Sequence, residues 1–451
     1  MKNAARSSTL LDAGRSARVR QILLAVLAAA GLVASVGLVA PVTDQGMLHA
    51  AGGTAVLLGR VAGLAGTYLM MITLVLIGRV PFVERVFGQD RLLKAHRWLG
   101  PAVLILLGTH VLALVVGYAQ QTGNGLPHQL WVLIVSYPGM LMAATGFALL
   151  VAAAVVSYRA VRRRLKYETW WAIHLYMYIG AALAFTHQLS NGAPFIDHPV
   201  ARWFWIALWA ATAGLVIVNR WVVPLVRSAY HDLRVAAVVE EAPGVVSVVM
   251  HGRHLKRLSA RGGQFMLWRF LSPGLWWQAH PYSLSALPSD DTVRITVKQL
   301  GDHSGSLASL EVGTRVAIEG PYGAFTGNAR KTDRVLLVAA GVGVTPVRTL
   351  LEDLPAHVDV VAILRSVQGS DLALRDEVEA LVSDRGGSLH EVIGAHPHVA
   401  LDGRRLRELV PDIAQRDLYM CGPPGFMRSL RAAARSLGVP GSRIHYEKFA
   451  F

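Results

Sequence analysis

The chain has 451 residues, a formal net charge of +15 and one cysteine, and 53% of its residues are hydrophobic. With only 16% charged residues and a mean hydropathy of +0.41, it is too apolar for an ordinary soluble protein. The single cysteine, Cys421, excludes an internal disulfide, a cysteine-ligated iron–sulfur cluster and haem attachment through paired cysteines. Any redox chemistry must therefore use non-covalently bound cofactors.

The excess of apolar residues lies before about residue 226, and the remainder alternates like a soluble α/β chain. Six segments are long enough to cross roughly 30 Å of hydrocarbon. They are predicted at residues 22–40, 54–77, 92–118, 130–158, 169–189 and 203–223. The first is interpreted as a retained helix, because its apolar run is too long for a signal peptide and no clear cleavage site follows it.

Basic residues are concentrated in every second connection of this half. They lie in the N-terminal tail, at residues 79–97 and at residues 159–166, whereas the alternate loops carry almost none. The positive-inside rule therefore predicts a multi-pass protein of the inner cell membrane, in contact with membrane lipid, with both termini and the soluble half in the cytoplasm. No nucleic-acid partner is expected, because these basic residues are not interleaved with aromatic ones.

Four histidines stand out among the apolar segments. His96 and His110 lie 14 residues apart in the third segment, and His174 and His187 lie 13 apart in the fifth. Both segments run in the same direction, so the pattern predicts two stacked b-type haems, ligated by His96 with His174 and by His110 with His187. Hydrogen bonding between helices is the alternative. A 13-residue spacing leaves side chains about 140° apart, so we expect an irregularity near Gly180 or haems that approach from different sides.

Arg60 lies about seven residues into the second segment, near the predicted depth of His110. A cation at this depth can pair with the propionates of the outer haem or attract an anionic acceptor. The alternative is an arginine that extends its charged end to the membrane surface.

Residues 232–325 contain short strands separated by turns, at 233–239, 245–251, 293–299 and 315–319, which predicts a small antiparallel barrel. The segment includes the motifs GQF at 263, HPYSLS at 280, GDHS at 301 and GPYG at 320. A flavin requires an aromatic wall, a donor near N5 and polar groups for its pyrophosphate. Tyr282, Ser283 and His280 with Ser304 are of these types, although each motif alone is also compatible with a plain strand and turn.

From residue 333 the pattern changes to strand, loop and helix, with strands at 334–340, 359–364, 389–393 and 417–420, which predicts a parallel sheet. The turn at Gly341 and Gly343 suits a pyrophosphate at a helix N-terminus. The predicted fold is therefore multi-domain: a six-helix transmembrane bundle, an antiparallel β-barrel and an α/β parallel-sheet domain. The expected boundaries are a tail at 1–20, a transmembrane di-haem domain at 21–226, an FAD domain at 229–327 and an NAD(P)H domain at 330–451.

The paired histidines resemble the ferric reductase-like transmembrane domain of ferric reductases and NADPH oxidases, over about residues 50–225. The later motifs resemble the ferredoxin–NADP reductase family, over about residues 232–449. This resemblance implies that FAD is bound by His280, Tyr282, Ser283 and Ser304, and the nicotinamide nucleotide by Gly341, Gly343, Thr345, Cys421, Gly422 and Pro423. The same motifs add Gln264, Pro281, Ser285, Gly301 and Pro346 to the predicted cofactor-binding residues.

The C-terminal residues resemble the family's closing Glu-x-aromatic motif, whose aromatic ring covers the flavin. Either Phe449 or Phe451 is expected to be that ring, and Ser283, Cys421, Glu447 and Phe449 are the residues expected at the reacting centre. Arg365 and Ser366, at a strand end, suit the 2′-phosphate of NADPH. A solvated charge at a strand end is the alternative, so the choice between NADH and NADPH stays open.

The combined resemblance implies an NAD(P)H-dependent flavocytochrome b oxidoreductase. Electrons would pass from cytoplasmic NAD(P)H, through FAD and two haems, to an extracytoplasmic acceptor. A ferric chelate is the favoured acceptor; oxygen, in a superoxide-generating oxidase, and a periplasmic redox protein are alternatives, as is a membrane-tethered flavin reductase without haem. Oxidases commonly carry a polar residue one turn beyond the outer ligand, where this chain has Leu114.

Overall fold

The computed structural model describes residues 2–165, 167–395 and 400–447, with side chains from residue 19 onward except those of residues 85, 89, 90, 167 and 168. The chain divides into two compact units, Met1–Arg220 and Trp221–Phe451. The first unit is helical and the second contains all the described strands.

The helices of the N-terminal unit are α1 (Lys2–Gly37), α2 (Gln45–His49), α3 (Gly53–Ile77), α4 (Pro81–Phe87), α5 (Gln89–Thr122), α6 (Leu126–Ser136), α7 (Met140–Ser157), α8 (Arg159–Arg162), α9 (Tyr167–Leu183), α10 (Phe185–Asn191), α11 (Ala193–Ile196) and α12 (Pro199–Ile217). Among the described residues, five helices are long and apolar enough to cross a membrane. They lie at Val19–Val42, Gly53–Ile77, Arg91–Thr122, Met140–Ser157 and Pro199–His231.

Two predicted segments are interrupted in the structure. A turn at Tyr137, Pro138 and Gly139 separates α6 from α7, and Gly139 has a φ of 77°, which glycine adopts at little cost. The prediction of one continuous helix over residues 130–158 is therefore wrong. The fifth segment is broken at Ala184, between α9 and α10, and α9 has 17 residues. The expected irregularity is thus present four residues beyond Gly180, and the segment is not among the five long spans.

Glycines let the helices of this unit approach closely. A Cβ atom on Gly59 of α3 would lie 2.8 Å from Leu114 Cδ2 of α5, and one on Gly146 of α7 would lie 2.6 Å from the Gly180 carbonyl oxygen of α9. Small residues at such contacts allow close packing within a membrane, where no hydrophobic effect drives helices together. Gly180 is therefore a packing residue and not the site of the helix break.

The C-terminal unit begins with α13 (Val223–His231), followed by a six-stranded barrel. Its strands are β1 (Leu233–Ala242), β2 (Val245–His251), β3 (Phe265–Phe270), β4 (His280–Ala286), β5 (Thr292–Lys298) and β6 (Arg315–Tyr322), and α14 (Asp302–Ser306) lies between the last two. The strands close in the order β1-β2-β5-β4-β3-β6, and the pairs are antiparallel. Alternate side chains, such as Met250, Trp268, Leu284 and Ile295, fill the interior.

A parallel sheet with helices on both faces follows the barrel. Its elements are β7 (Arg334–Ala340), α15 (Val344–Asp353), β8 (Asp359–Ser366), α16 (Arg375–Ser383), β9 (Ser388–Ile393), α17 (Gly403–Leu409), β10 (Asp417–Cys421), α18 (Pro424–Ser436) and β11 (Ile444–Glu447). The strand order is β11-β10-β7-β8-β9. Along β7, Leu337 contributes to one hydrophobic core while Leu336 and Val338 contribute to the other. The predicted sequence of helices, antiparallel sheet and parallel sheet is confirmed.

An ionic network joins the barrel to the parallel-sheet part. Arg294 on β5 donates from Nη1 and Nη2 to the two carboxylate oxygens of Glu377 on α16, each at 2.7 Å, and Arg348 Nε donates to Glu377 Oε2 at 2.8 Å. Burial alone would favour the protonated acid, but the two arginines hold the pKa of Glu377 below its usual value. The carboxylate therefore stays charged at neutral pH and binds both guanidinium groups.

Arg294→Met is expected to lower the free energy of unfolding of the C-terminal unit by about 2 kcal/mol. The substitution leaves the Glu377 carboxylate without its bidentate partner, and the effect stays below that of a fully buried pair because the Glu377 side chain is 34% exposed. Urea unfolding of the full-length protein, followed by pulse proteolysis, measures the change. Arg404→Met, which removes an arginine that is 89% exposed, is the control and should change stability by less than about 0.5 kcal/mol. Equal losses in the two variants would contradict the prediction.

Candidate functional site

The two predicted histidine pairs come together inside the N-terminal unit. The ring centroids of His96 and His174 are 6.2 Å apart, and those of His110 and His187 are 6.4 Å apart. A metal–nitrogen bond of about 2.0 Å, plus about 1.1 Å from that nitrogen to the ring centre, separates the centroids of two opposed imidazole ligands by roughly 6 Å. Both separations therefore fit one metal ion between the rings.

The described residues include no group of three or more His, Cys, Asp or Glu side chains that could hold a metal ion. A pair of imidazoles alone suits an ion whose other four ligands come from elsewhere, as the four pyrrole nitrogens of a haem do. The donor set of each pair therefore fits a haem better than a metal ion bound by protein ligands alone.

The proton position of His110 follows from its hydrogen bond. His110 Nδ1 lies 2.8 Å from the carbonyl oxygen of Gly59. Because a carbonyl oxygen only accepts, Nδ1 carries the proton and Nε2 has the free lone pair. A Cβ on Gly63 would lie 2.4 Å from His110 Nδ1, so glycine at this position gives the ring its space. Metal-binding histidines typically have such a hydrogen bond on the non-coordinating nitrogen.

Arg60 follows Gly59 on α3, so its backbone lies at the depth of His110. Its Nη1 atom contacts the carbonyl oxygen of Val42 at 3.3 Å and the Met47 sulfur at 3.4 Å. Among the described residues these are the hydrogen-bond contacts of Arg60, so its Nε and Nη2 atoms can donate to an anion.

On strand β4 the predicted flavin-binding residues lie beside His303, which is not among the residues predicted from the motifs. The rings of His280 and His303 are in contact, with centroids 3.5 Å apart and planes tilted by 30°, and Tyr282 Oη lies 3.1 Å from His303 Nδ1. His280 Nε2 lies 2.8 Å from Gln278 Oε1, and Pro281 is exposed. Burial, and then the neighbouring His280, lower the pKa of His303 to about 4, so its ring is neutral at physiological pH. The GDHS motif contains His303 and was the available signal.

Ser283 and Ser285 differ in how their hydroxyl groups are used. Ser283 Oγ is buried and has no hydrogen-bond partner among the described residues, whereas Ser285 Oγ accepts from Arg294 Nε at 3.1 Å. A buried hydroxyl without a partner costs about 1–3 kcal/mol. Ser283 is therefore available to a bound ligand, while Ser285 supports the ionic network between the barrel and the sheet.

The other predicted flavin-binding side chains hold neighbouring loops. Gln264 accepts from the Arg261 backbone N–H at 2.8 Å and donates to the Gly323 carbonyl at 3.2 Å. Ser304 Oγ accepts from the Gly301 N–H at 3.0 Å and donates to the Gly301 carbonyl at 3.1 Å. These contacts to backbone groups shape the loops around β4.

The predicted nucleotide-binding glycines lie at the carboxyl edge of the parallel sheet, where β7 and β10 are neighbours. A Cβ on Gly343 would lie 2.3 Å from the Cys421 carbonyl oxygen, and one on Gly422 would lie 2.8 Å from Ala340 Cβ. Gly341 has a φ of +56° with open space around it. Glycine is required at these positions for the strand ends to approach, which leaves room for a pyrophosphate at this edge. The exposed Pro423 precedes α18 at the same edge.

Two of the predicted residues at this edge are buried in the fold. Thr345 Oγ1 donates to the Val342 carbonyl at 2.8 Å, and Pro346 beside it is buried. Cys421 is fully buried, and burial followed by the charge of Glu447 raises the pKa of its thiol well above the usual value. The thiol is therefore protonated and does not act as a thiolate. Glu447 pairs in register with Cys421 on β11.

Phe449 and Phe451, the two candidates for the ring that covers the flavin, lie outside the described residues.

Arg365 is hydrogen bonded to backbone carbonyl groups at the ends of β8 and β9. Its Nη1 donates to the Val392 oxygen at 3.2 Å and also contacts the Ser366 oxygen, and its Nη2 donates to the Gly394 oxygen at 2.6 Å. Ser366 is buried. These contacts hold the Arg365 side chain against the ends of β8 and β9. Binding of a 2′-phosphate by Arg365 and Ser366 stays a prediction.

The protein is expected to lose stability as the pH falls from about 6.5 to about 4. His303 binds a proton near pH 6.5 in the unfolded chain but only near pH 4 in the folded chain, so the unfolded state binds more protons in this window. His303→Gln should flatten the pH dependence of unfolding measured by urea titration. His251→Gln, at an exposed histidine, is the control and should keep the wild-type slope. An unchanged slope in His303→Gln would count against a neutral His303 beside His280.

Three protein-family models match the chain, in the predicted order. Residues 62–185 match the ferric reductase like transmembrane component, residues 234–326 an FAD-binding domain and residues 337–432 an oxidoreductase NAD-binding domain. The first match contains His96, His110 and His174 and ends two residues before His187.

Several curated proteins are similar to about half of the chain. The stachydrine N-demethylase reductase subunit of Rhizobium meliloti is 32% identical over 46% of this chain and 64% of its own length. The ferredoxin reductase component of 3-ketosteroid-9-alpha-monooxygenase from Mycolicibacterium smegmatis is 33% identical over 48% of this chain and 65% of its own length. A flavohemoprotein of Deinococcus radiodurans is 30% identical over 49% and 59%. The chain thus spans less than two thirds of the length of these relatives.

Among solved structures, the flavohem-like FAD/NAD binding domain of nitric oxide dioxygenase from Vibrio cholerae is 25% identical, with a TM-score of 0.42. The match covers 49% of this chain and 98% of that structure.

The three matched components and their order are those that the motifs indicated. The chain therefore carries a ferric reductase-like transmembrane component, an FAD-binding domain and an NAD-binding domain, which is the combination that the resemblance to the ferric reductase/NADPH oxidase-like family implied.

Proposed function

We propose that the protein is an NAD(P)H-dependent flavocytochrome b oxidoreductase that carries electrons across the cell membrane to an extracytoplasmic acceptor. The observation that supports this most directly is the pair of histidine–histidine separations, 6.2 and 6.4 Å, in the segment that contains the ferric reductase-like component. Bound FAD would convert a two-electron hydride transfer into single electrons, and two bis-histidine haems would pass them on without open coordination sites.

His96 with His174 would hold the inner haem, and His110 with His187 the outer one. The Gly59 carbonyl keeps the proton of His110 on Nδ1, which leaves Nε2 as the coordinating nitrogen. Arg60, at the depth of His110, would pair with a haem propionate or attract an anionic acceptor.

In the C-terminal unit, the Ser283 hydroxyl would donate to the flavin near N5, because it is buried and has no partner among the described residues. Tyr282 would provide an aromatic wall, and the His280–His303 pair would face the polar part of FAD. The glycine turn after β7 and the residues after β10 would hold NAD(P)H, with the protonated Cys421 thiol as a neutral neighbour of the nicotinamide. Phe449 or Phe451 would cover the flavin.

The orientation rests on the loop charges. The basic residues at 79–97 and 159–166 would put these connections, and with them the FAD-binding and NAD-binding domains, on the cytoplasmic side of the inner membrane. NAD(P)H would then be consumed in the cytoplasm and the acceptor reduced on the other side.

A ferric chelate is the acceptor that the outer site favours. Leu114, one turn beyond His110, packs against Gly59 in the α3–α5 contact, since a Cβ on Gly59 would lie 2.8 Å from Leu114 Cδ2. This position therefore offers no polar group to bind or protonate reduced oxygen. Transfer of one electron from the outer haem to a ferric chelate would require neither a polar group that binds reduced oxygen nor one that protonates it.

Delivery of electrons to a partner protein is the second candidate function. It is favoured by the names of two relatives, which are reductase parts of a demethylase and a monooxygenase. Assays of the purified protein with ferric chelates, oxygen, quinones and NADPH would distinguish the two functions. Rapid reduction of a ferric chelate supports the first, and reduction of no small acceptor supports the second.

His110→Ala is expected to remove one of two haems and to leave reduction of FAD by NAD(P)H within about twofold of wild type, because the two reactions use different units of the chain. The pyridine haemochrome assay counts haems per flavin, and stopped-flow spectroscopy measures FAD reduction. His49→Ala, at a histidine outside both pairs whose ring is hydrogen bonded to the Gln45 carbonyl, is the control and should keep both haems. Wild-type protein with one haem or none per flavin would contradict the proposal.

Ser283→Ala is expected to slow FAD reduction roughly 10- to 100-fold without loss of stability, because it removes a donor from the ligand but breaks no hydrogen bond within the protein. Ser285→Ala should do the reverse: it removes the acceptor of Arg294 Nε, which costs about 1 kcal/mol of stability, and leaves the rate per folded molecule unchanged. Anaerobic stopped-flow kinetics and urea unfolding separate the two effects. Similar behaviour of the two variants would show that Ser283 does not contact the flavin.

A further inference from the structure

The side chain of Ser157, the last residue of α7, lies between three polar groups. Ser157 Oγ is 2.7 Å from the Ala153 carbonyl oxygen, 3.1 Å from Trp170 Nε1 and 3.2 Å from His174 Nδ1. Trp170 also stacks on His174, with ring centroids 5.2 Å apart, and the Arg162 guanidinium lies 4.6 Å from the Trp170 ring. Neither Ser157 nor Trp170 belongs to the residues predicted from the sequence motifs.

The number of protons in this cluster determines how the bonds are directed. Ser157 has one hydroxyl hydrogen and two lone pairs. The Ala153 carbonyl can only accept, so the hydroxyl hydrogen points to it; otherwise two acceptor oxygens would face each other at 2.7 Å. The Trp170 indole can only donate, and it occupies one lone pair. The remaining lone pair is left for His174, which must donate to it from Nδ1.

We propose that Ser157 is a positioning residue that selects the Nδ1–H tautomer of His174 and thereby leaves Nε2 of His174 with its lone pair for the inner haem iron. This inference rests on the proposed function and extends it to a residue outside the two histidine pairs. Trp170 contributes by occupying the lone pair of Ser157 that would otherwise be free, and Arg162 holds the indole ring from its face.

The hydrogen bond has an electronic consequence as well as a geometric one. A histidine that donates from Nδ1 to an oxygen is a more basic ligand at Nε2, and a more basic ligand stabilises ferric over ferrous iron. The inner haem is therefore held at a lower reduction potential than it would have without Ser157. The equivalent bond of the outer pair goes to the Gly59 backbone carbonyl, which a side-chain substitution does not remove.

The test compares full-length wild-type protein with Ser157→Ala and Ser157→Thr, which remove and keep the hydroxyl group. Thr145→Val is the matched control, because Thr145 is on the same helix and also donates to the carbonyl four residues earlier, but has no hydrogen bond to a histidine among the described residues. A spectroscopic redox titration measures the two haem potentials, and electron paramagnetic resonance of the oxidised protein reports the ligand field of each haem.

We expect Ser157→Ala to raise the potential of one haem by the equivalent of roughly tenfold in ferric-over-ferrous preference, about 59 mV for a one-electron couple, and to change one of the two resonance signals. Ser157→Thr and Thr145→Val should match the wild type. Loss of one haem in Ser157→Ala, but not in Ser157→Thr, would also support the role of the hydroxyl group.

Two haems with unchanged potentials and signals in Ser157→Ala would overturn the inference while leaving the proposed function intact. Equal effects of Ser157→Ala and Ser157→Thr would also overturn it, because the hydroxyl group would then not be the cause. Wild-type protein that binds no haem would overturn the proposed function and this inference together.

Discussion

A neutral imidazole between apolar helices has two nitrogens and one proton, and few neighbouring polar groups are available to fix which nitrogen carries that proton. The helical unit meets this constraint at two of its four histidines with a defined acceptor: the Gly59 carbonyl for His110 and the Ser157 hydroxyl for His174. The close approach of α3 to α5 depends on the same arrangement, since the space for the His110 ring exists only because residue 63 is glycine. The packing of α3 against α5 and the orientation of the His110 ring therefore depend on the same residues.

In the C-terminal unit, hydrogen-bond satisfaction separates structural polar residues from those that are available to ligands. Ser285, Thr345 and Arg365 have their hydrogen bonds within the protein. Ser283 is buried and lacks such a bond among the described residues. The two kinds lie side by side on β4, where Ser283 and Ser285 are two residues apart.

The spacing of residues in the sequence predicted the features that follow from regular helix geometry. The histidine pairs follow from the rise and phase of a helix, and the phase mismatch of the 13-residue spacing also predicted that the fifth helix would be irregular. The position of the break at Ala184 could not be predicted, because neither glycine nor proline marks that position in the sequence. The His280–His303 contact and the Ser157–His174 hydrogen bond were not predicted, since each joins side chains that are distant in sequence and meet only in the folded chain.

The Arg294–Glu377 bridge limits how freely this protein can be recombined. Arg294 belongs to the barrel and Glu377 to α16, and Arg348 on α15 shares the same carboxylate. The nucleotide-binding part is therefore not an interchangeable cassette, although the order of domains suggests modular construction. A chimaera that takes this part from a relative would keep the ionic network only if all three charged residues came from the same protein. A junction between β6 and β7 would separate Arg294 from Arg348 and Glu377.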